Sequence, residues 1–253
     1  MSSQPTSQAV ALGGRTLVIT RPAGSADALV RRVRAHGGVP LRLPGLSLRA
    51  PDDAQSARAA LRRALAGDAL LFASPAAVRF AAALLPLRTR ATVFAAGRGT
   101  AQALRRHGLR AQVPDERQDS EGLLALPSLR QVRGQRIALV GAPGGRGLLR
   151  EQLAARGARV NEVCVYRRAS PRLDRRHVEA VLRLPADGRV LLSSAEALRN
   201  LQHALPAPAW ARLCNAVAVA SSERIAALAR TAGFMQVRVA TSARPGDLLV
   251  AAG

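Results

Sequence analysis

The stretch that decides the fold is Leu70-Leu71-Phe72-Ala73-Ser74-Pro75-Ala76-Ala77-Val78-Arg79-Phe80, because a second copy of it occurs further along the chain. The copy is Val190-Leu191-Leu192-Ser193-Ser194-Ala195-Glu196-Ala197-Leu198-Arg199-Asn200, which places Ser194 120 residues after Ser74. The same shift carries the segment from Leu17 to Gly24 onto the segment from Ile137 to Gly144. Self-similarity at a fixed spacing is typical of a duplicated unit. The chain is therefore predicted to contain two related α/β halves, with a ligand bound in the cleft between them.

Short apolar strands alternate with helical segments along the chain. A strand over Thr16–Thr20, for example, precedes a helix over Ala26–His36 that we expect to be capped by Ser25 and to end at Gly37. A later strand is predicted over Arg110–Val113. Buried strands that alternate with helices indicate an α/β fold with parallel sheets flanked by helices.

Composition indicates an ordinary globular protein. Of the 253 residues, 48% are hydrophobic and 21% are charged, and no apolar run approaches the roughly 18 residues that a membrane span needs. The first fourteen residues lack the basic start and apolar core of a signal peptide, so we expect a flexible tail over residues 1–14. Cys164 and Cys214 lack metal-site spacing and are interpreted as incidental thiols of a cytoplasmic protein.

The formal net charge of +22 comes entirely from arginine, since the chain contains no lysine. Such a field attracts polyanions, either nucleic acid or a small molecule with several carboxylates. A nucleic-acid binder needs a basic run or an aromatic stacking platform, whereas the arginines here are scattered and Phe, Tyr and Trp total six. Nucleic-acid binding is therefore the third alternative, behind a catalytic function and small-anion binding.

Ligands of parallel sheets bind beyond the carboxyl ends of the strands. The residues predicted there are rich in Gly, Ser, Thr and Arg, a set that suits carboxylates or phosphates. They are Thr20-Arg21-Pro22, Ser74-Pro75, Ala96 to Thr100, Gly141 to Gly147, Ser193-Ser194 and Ser221 to Arg224. Ser74 and Ser194 are equally good helix caps, so capping and ligand contact both stay open for them. The Gly141–Gly147 segment lacks the ending of a Walker A loop and is interpreted as a loop over a ligand.

Residues with acid–base or nucleophilic chemistry are few. The four histidines have no metal-pair spacing, and no GxSxG motif is present. Tyr166 is the one tyrosine of the chain and ends a predicted strand over Arg159–Tyr166. It is either a half-buried tyrosine at a domain junction or a functional group.

These segments together resemble the uroporphyrinogen-III synthase family. The resemblance runs from about Gly14 to Leu249 and depends on the order and spacing of short motifs more than on any one of them. Its strongest part is Val165-Tyr166-Arg167-Arg168 after Gly157-Ala158-Arg159-Val160. The other motifs are Ile19 to Pro22, Phe72 to Val78, Ala96-Gly97 with Thr100-Ala101, Ser120 to Leu124 and Leu192 to Ser194.

The resemblance implies a domain arrangement that the repeat alone does not give. Two similar flavodoxin-like domains with a central inter-domain cleft are expected. Residues 15–43 and 169–253 form domain 1, residues 47–163 form domain 2, and residues 44–46 and 164–168 form a two-stranded hinge. A monomer is expected as well.

The resemblance also implies a reaction, namely cyclisation of the linear tetrapyrrole hydroxymethylbilane with loss of water and inversion of ring D. Tyr166 is then the catalytic residue that helps the hydroxyl group to leave. The substrate-binding residues are Arg21, Ser74, Thr100, Arg146, Ser193, Ser194, Ser222 and Arg224. Arg224 stands where the family often has threonine, which puts a threonine contact in doubt and offers a guanidinium instead. No metal or organic cofactor, nucleic acid or membrane is implied, and the alternative is a non-enzymatic sensor for a small polyanion.

Overall fold

A computed structural model describes residues 11–115, 117, 119–144 and 147–253. Arg146 and the first ten residues of the predicted tail lie outside the described residues. The chain divides into two compact units. Unit 1 consists of Met1–Ser47 and Ala169–Gly253, and unit 2 consists of Leu48–Arg168.

The described residues form alternating strands and helices. The strands are β1 Thr16–Ile19, β2 Val39–Arg42, β3 Ser47–Arg49, β4 Ala69–Phe72, β5 Thr92–Ala95, β6 Arg136–Gly141, β7 Arg159–Cys164, β8 Arg167–Ala169, β9 Arg189–Leu192, β10 Val217–Ala220 and β11 Val237–Val239. The helices are α1 Asp27–Ala35, α2 Ala54–Leu65, α3 Pro75–Leu84, α4 Arg98–Arg105, α5 Ser120–Ala125, α6 Gly147–Ala155, α7 Arg175–Leu182, α8 Ala195–Ala204, α9 Ala207–Cys214, α10 Glu223–Thr231 and α11 Pro245–Ala252. A 3₁₀ turn spans Pro127–Leu129.

The sheet of unit 1 has the order β11-β10-β9-β1-β2, and all its pairings are parallel. At its centre Val18 lies opposite Leu41 of β2 and Val190 of β9. Read from β2, this is the strand order 2-1-3-4-5 of flavodoxin-like folds. The topological switch point therefore falls between β1 and β9.

The sheet of unit 2 has the order β5-β4-β6-β7 and is also parallel throughout. Gln112 extends it beyond β5 by an isolated parallel bridge to Phe94. The shift of 120 residues carries β1 onto β6, β2 onto β7 and β4 onto β9. Equivalent strands thus have the same spatial order in the two units, but they follow one another along the chain in a circularly permuted order. The switch point of unit 2 falls between β6 and β4.

Apolar clusters cover both faces of each sheet. In unit 1, Val18 and Val190 belong to one buried cluster, while Leu17 and Leu191 belong to another. Unit 2 likewise has one cluster around Leu70 and Phe72 and a second around Ala69 and Leu71. Successive strand residues point to opposite faces, so each strand contributes to two cores. The predicted class, an α/β fold with parallel sheets flanked by helices, is confirmed.

Strands β3 and β8 form a separate two-stranded sheet. They lie where the chain passes from one compact unit to the other, at the boundaries Ser47/Leu48 and Arg168/Ala169. The same shift of 120 residues relates them, because Ser47–Arg49 maps onto Arg167–Ala169. The connecting strands are therefore part of the repeat.

Three local predictions were wrong. The strand predicted to run to Tyr166 ends at Cys164, since the chain leaves the sheet edge after the hydrogen bond from the Val165 N–H to the Gly141 carbonyl. The strand predicted over Arg110–Val113 is reduced to the bridge at Gln112, at the outer edge of the sheet. Helix α1 is capped by Ala26 without a side-chain hydrogen bond, because the hydroxyl of Ser25 donates to the Pro22 carbonyl.

Candidate functional site

The carboxyl edge of unit 2 places Ser74 directly after β4, at the switch point of the sheet. Ser74 has an extended backbone, and its hydroxyl accepts a hydrogen bond of 3.1 Å from the Ala77 N–H, so it is the N-cap of α3. Pro75 occupies the first helical position, where it loses no intrahelical bond. The capping interpretation is therefore confirmed for Ser74, and the same hydroxyl also has a second neighbour.

That neighbour is Tyr166, which lies in the short link between β7 and β8. Its phenolic oxygen is 3.4 Å from the Ser74 hydroxyl oxygen, and either group could donate. Its ring stacks on Phe80 of α3 with ring centroids 5.3 Å apart and an interplanar angle of 18°. Tyr166 is 8% exposed and belongs to the apolar core of unit 2. The structure therefore brings two of the predicted residues, Ser74 and Tyr166, into contact.

Helix α4 follows β5 at the same edge and begins at Gly97, which offers no side-chain cap. Thr100 lies in its first turn and is 3% exposed. Its backbone N–H donates to the Gly97 carbonyl at 3.0 Å. A hydroxyl this deeply buried contributes to the packing of α4 in this structure.

The loop after β6 contributes backbone groups to the edge of unit 2. Ala142 is 4% exposed, whereas Pro143 and Gly144 are exposed and Gly144 has φ +69°. The guanidinium of Arg168 lies 3.5 Å from the carbonyl oxygens of Pro143 and Gly144. The predicted contact of Arg146 with substrate falls outside the described residues.

The carboxyl edge of unit 1 contains Arg21, Ser193 and Ser194. Arg21 donates from Nη2 to the Ala243 carbonyl at 2.7 Å and thereby joins the loops after β1 and β11. Its burial lowers the pKa of the guanidinium below the ordinary value. Ser194 caps α8 by accepting a 3.2 Å hydrogen bond from the Ala197 N–H, and Ser193 beside it is partly exposed.

Helix α10 follows β10 at the same edge of unit 1. Ser222 caps it with a 3.4 Å contact to the Ile225 N–H. Arg224 is exposed on the second residue of the helix, so its side chain is open to solvent. Tyr166, Ser74 and Thr100 thus belong to unit 2, while Arg21, Ser193, Ser194, Ser222 and Arg224 belong to unit 1.

Two further residues lie near the switch points: Thr20, which the sequence placed at a strand end without a role, and Phe80, which the sequence did not single out. Thr20 is 2% exposed and donates from its hydroxyl to the Leu191 carbonyl at 2.7 Å, which ties β1 to β9. Phe80 forms the stack on Tyr166. The sequence carries no signal that distinguishes Phe80 from any other apolar helix residue, because its partner lies 86 positions away.

Neutral residues cap the helices that follow β4, β5, β9 and β10 directly. They are Ser74, Gly97, Ser194 and Ser222. Aspartates cap helices that follow other connections, namely Asp53 for α2, Asp119 for α5 and Asp174 for α7. A carboxylate cap would compensate the partial positive charge of a helix N-terminus. The caps of these four carboxyl-edge helices therefore add no negative charge, which favours an anion at these N-termini.

Unit 2 also has open grooves that neither Ser74 nor Tyr166 lines. One of about 660 Å³ runs along α4 and is lined by Arg98, Arg105 and Arg110. Another of about 540 Å³ lies at the amino end of the sheet, beside Arg88 and Arg90. Ligands of open α/β sheets bind at the switch point, where Ser74 and Tyr166 lie, so neither groove is the candidate site.

Across residues 11–115, 117, 119–144 and 147–253, no group of three or more His, Cys, Asp or Glu side chains is arranged to hold a metal ion. None of the helices in these ranges is long and apolar enough to cross a membrane. Burial raises the pKa of the Cys214 thiol to about 11, which leaves it almost entirely protonated at neutral pH.

A family model described as uroporphyrinogen-III synthase HemD matches residues 27–250. The chain belongs to the uroporphyrinogen-III synthase family. Uroporphyrinogen-III synthase of Salmonella typhimurium is 34% identical over 247 residues, which cover 92% of this chain and 98% of the relative. The Escherichia coli enzyme is 34% identical over 246 residues, with the same coverage of both chains. The resemblance inferred from short motifs is confirmed.

Two solved structures of the family are similar in fold. Uroporphyrinogen-III synthetase of Helicobacter pylori matches with a TM-score of 0.59 at 14% identity, covering 93% of this chain and 97% of that one. A mutant uroporphyrinogen III synthase of Thermus thermophilus matches with a TM-score of 0.55 at 24% identity, covering 93% and 96%. At these identities the likeness supports the fold of the family.

Proposed function

We propose that this chain catalyses the reaction of its family, in which hydroxymethylbilane loses water and closes to uroporphyrinogen III with inversion of ring D. The observation that carries the proposal is the family match over residues 27–250, joined by relatives whose sequences are covered to 98%. The carboxyl edges support it, because they offer hydroxyls, guanidinium groups and neutral-capped helix N-termini to a carboxylated ligand.

The chemistry of the substrate explains why few catalytic groups are needed. Loss of the terminal hydroxyl gives a reactive azafulvene that closes without help to the symmetrical type I isomer. The enzyme has to direct attack to the substituted carbon of ring D, through a spiro intermediate. Holding a flexible octacarboxylate in one conformation is chiefly a matter of positioning and entropy.

Tyr166 is the group proposed to help the hydroxyl leave, by donating a hydrogen bond or a proton. It is the one tyrosine of the chain, and its phenol lies 3.4 Å from the Ser74 hydroxyl at a switch point. In this position a phenol can donate to the substrate while the serine hydroxyl donates to the phenolic oxygen.

The carboxylates of the substrate are proposed to contact residues of both carboxyl edges. These are Arg21, Ser193, Ser194, Ser222 and Arg224 of unit 1, with Ser74, Thr100 and Arg146 of unit 2. The side chain of Arg21 is held by its hydrogen bond to the Ala243 carbonyl. We further propose that the protein acts in the cytoplasm as a monomer without a cofactor.

The test is the isomer ratio of uroporphyrin formed from freshly generated hydroxymethylbilane, with and without a catalytic amount of the protein. After oxidation, chromatography separates types I and III. We expect type III to replace type I. If type I persists with folded protein, enzymatic activity is ruled out, and calorimetric titration with a tetrapyrrole carboxylate tests the alternative of a small-polyanion binding protein.

A further inference from the structure

Tyr166 is held at two points by a single helix. Ser74, the N-cap of α3, meets its hydroxyl at 3.4 Å, and Phe80 of the same helix stacks on its ring at 5.3 Å between centroids. One contact therefore reaches the phenolic oxygen and the other reaches the ring of the same tyrosine side chain. The two contacts constrain different features of the side chain, namely the position of the phenolic oxygen and the plane of the ring.

The contact to Ser74 constrains the position of the phenolic oxygen and leaves the ring plane undetermined. That oxygen lies on the Cβ–Cγ axis, so rotation about the axis turns the ring without moving the oxygen. The torsion is also a broad one, because rotation between a tetrahedral and a planar carbon has no sharp minima. Another contact is therefore needed to fix the plane of the ring.

Phe80 supplies that contact. Its ring is nearly parallel to the Tyr166 ring, with an interplanar angle of 18°. At 5.3 Å between centroids the two rings are offset, which is a favoured aromatic geometry. The Phe80 ring is also contacted by the Arg79 guanidinium, which lies 5.1 Å from the ring centroid. The Phe80 ring thus has a second neighbour besides Tyr166.

The plane of a phenol decides where its proton points, because conjugation keeps the O–H bond in the plane of the ring. The geometry points to Phe80 as a positioning residue that sets the direction in which Tyr166 donates its hydrogen bond to the leaving hydroxyl. This inference rests on the proposed function of Tyr166. Phe80 itself needs no contact with the substrate.

The principal variant is Phe80→Leu, which keeps an apolar side chain on α3 and removes the planar surface. We expect kcat for type III formation to fall about tenfold with KM unchanged, since misdirecting a catalytic group slows the chemical step. Phe80→Tyr restores a planar ring and should return kcat to within about twofold of wild type. Leu84→Ala is the matched control, because Leu84 is also a partly buried residue of α3 on the same core and should leave kcat unchanged.

A double-mutant cycle separates positioning from general loss of structure. If Phe80 acts through the phenol, Phe80→Leu has no further effect on kcat in a Tyr166→Phe background. A fall of equal size in both backgrounds would overturn the inference, as would a Phe80→Leu enzyme with wild-type kcat. Full activity of Tyr166→Phe would overturn it as well, because there would be no phenol to direct.

A spectroscopic measurement tests the geometry independently of turnover. Because the chain has one tyrosine, the near-ultraviolet circular dichroism of wild type minus Tyr166→Phe isolates the Tyr166 signal. We expect the same difference spectrum, recorded in the Phe80→Leu background, to lose the Tyr166 signal, and retention of the signal there would contradict the inference. Wild-type protein that yields type I alone would instead defeat the proposed function, so the two failures are distinguishable.

Discussion

Each unit has an equivalent serine at its switch point, Ser74 in unit 2 and Ser194 in unit 1, but the residues that contact the two serines and their helices differ. Ser74 caps α3 with a 3.1 Å bond from Ala77, and Ser194 caps α8 with a 3.2 Å bond from Ala197. These pairs are related by the shift of 120 residues. The repeated serine is therefore explained by capping in both units, and whatever distinguishes the units chemically lies in the residues around it.

Those residues differ completely. In unit 2 the helix presents Phe80 to the ring of Tyr166. At the equivalent positions unit 1 has Asn200 and Leu46, and the Asn200 amide donates to the Gly45 carbonyl at 3.0 Å. The same contact between a helix and the strand connection is thus aromatic in one unit and a backbone-directed hydrogen bond in the other. The contact in unit 1 is thus a hydrogen bond to the backbone, while the contact in unit 2 includes a phenol.

The carboxyl edges also differ in charge. In unit 1 each helix that follows a strand of the sheet has an acidic residue in its first turn: Asp27, Glu196, Glu223 and Asp247. In unit 2 the helices after β4, β5 and β6 have none, and only α5, after the Gln112 bridge, has one among the helices that follow this sheet, namely Glu121. Acidic side chains offset the positive end of a helix, so the edge of unit 2 is the more favourable one for carboxylates.

The largest expected effect comes from removing the phenol. Tyr166→Phe should lower kcat for type III formation by about 100-fold, the lower end of the range for a lost general acid. The ring still stacks on Phe80, so the free energy of unfolding should stay close to that of wild type. Steady-state kinetics and urea denaturation measure the two quantities.

The control for Tyr166→Phe is Leu46→Met, at the equivalent position of unit 1. Leu46 is buried, and a swap that conserves volume costs less than about 1.5 kcal/mol and removes no polar group. Comparable kcat losses in the two variants would show that packing at this position, in either unit, matters more than the phenol.

Much of this comparison could be predicted from the sequence. The repeat around Ser74 and Ser194, the alternation of strands and helices and the family resemblance all depend on local patterns, and each of them was confirmed. The stack of Phe80 on Tyr166 could not be predicted, since it joins residues far apart in a unit assembled from both sequence halves. The end of β7 at Cys164 was missed for a related reason, because the apolar pattern continues through Val165 after the sheet pairing has stopped.

The second expected effect is on the stability of unit 1. A Cβ atom at Gly45 would lie 2.6 Å from the Cβ of Ala197 and 2.7 Å from its carbonyl oxygen. Gly45→Ala should therefore lower the free energy of unfolding by about 2 kcal/mol, as overpacking does. Unit 2 has Val165 at the equivalent position, so this close approach is a property of unit 1.

The matched control for Gly45→Ala is Gly99→Ala in the first turn of α4. A Cβ there would meet its nearest neighbour, the Pro75 ring, at an ordinary 3.7 Å. We expect this variant to gain about 0.5 kcal/mol, because alanine loses less backbone entropy than glycine on folding. Equal urea midpoints for the two variants would contradict the close packing at Gly45.

The third expected effect distinguishes the role of Ser74 from that of Ser194. Ser74→Ala and Ser194→Ala should each lower the free energy of unfolding by about 1 kcal/mol, the usual cost of a lost cap. Since the Ser74 hydroxyl also contacts the Tyr166 phenol, the larger loss of kcat is expected for Ser74→Ala. Ser74→Gly retains most of the capping stability and still lacks the hydroxyl, so it should reproduce the loss of kcat. Wild-type kcat in both Ser74→Ala and Ser74→Gly would mean that Ser74 is a cap alone.

The smallest expected effect tests the difference in charge between the edges. Ala76 of α3 corresponds to Glu196 of α8, so Ala76→Glu gives unit 2 the acidic first turn of unit 1. A carboxylate at a helix N-terminus is worth about 0.3–1 kcal/mol and would oppose an anionic substrate by a similar amount, raising KM about two- to fivefold with kcat unchanged. Ala76→Gln has the same size without the charge and should keep the wild-type KM. Because the Debye length falls to about 8 Å at physiological ionic strength, the difference between the two variants should shrink as salt is added. If KM rises equally in both variants at every salt concentration, the effect is steric. The difference in charge between the two carboxyl edges would then have no effect on substrate binding.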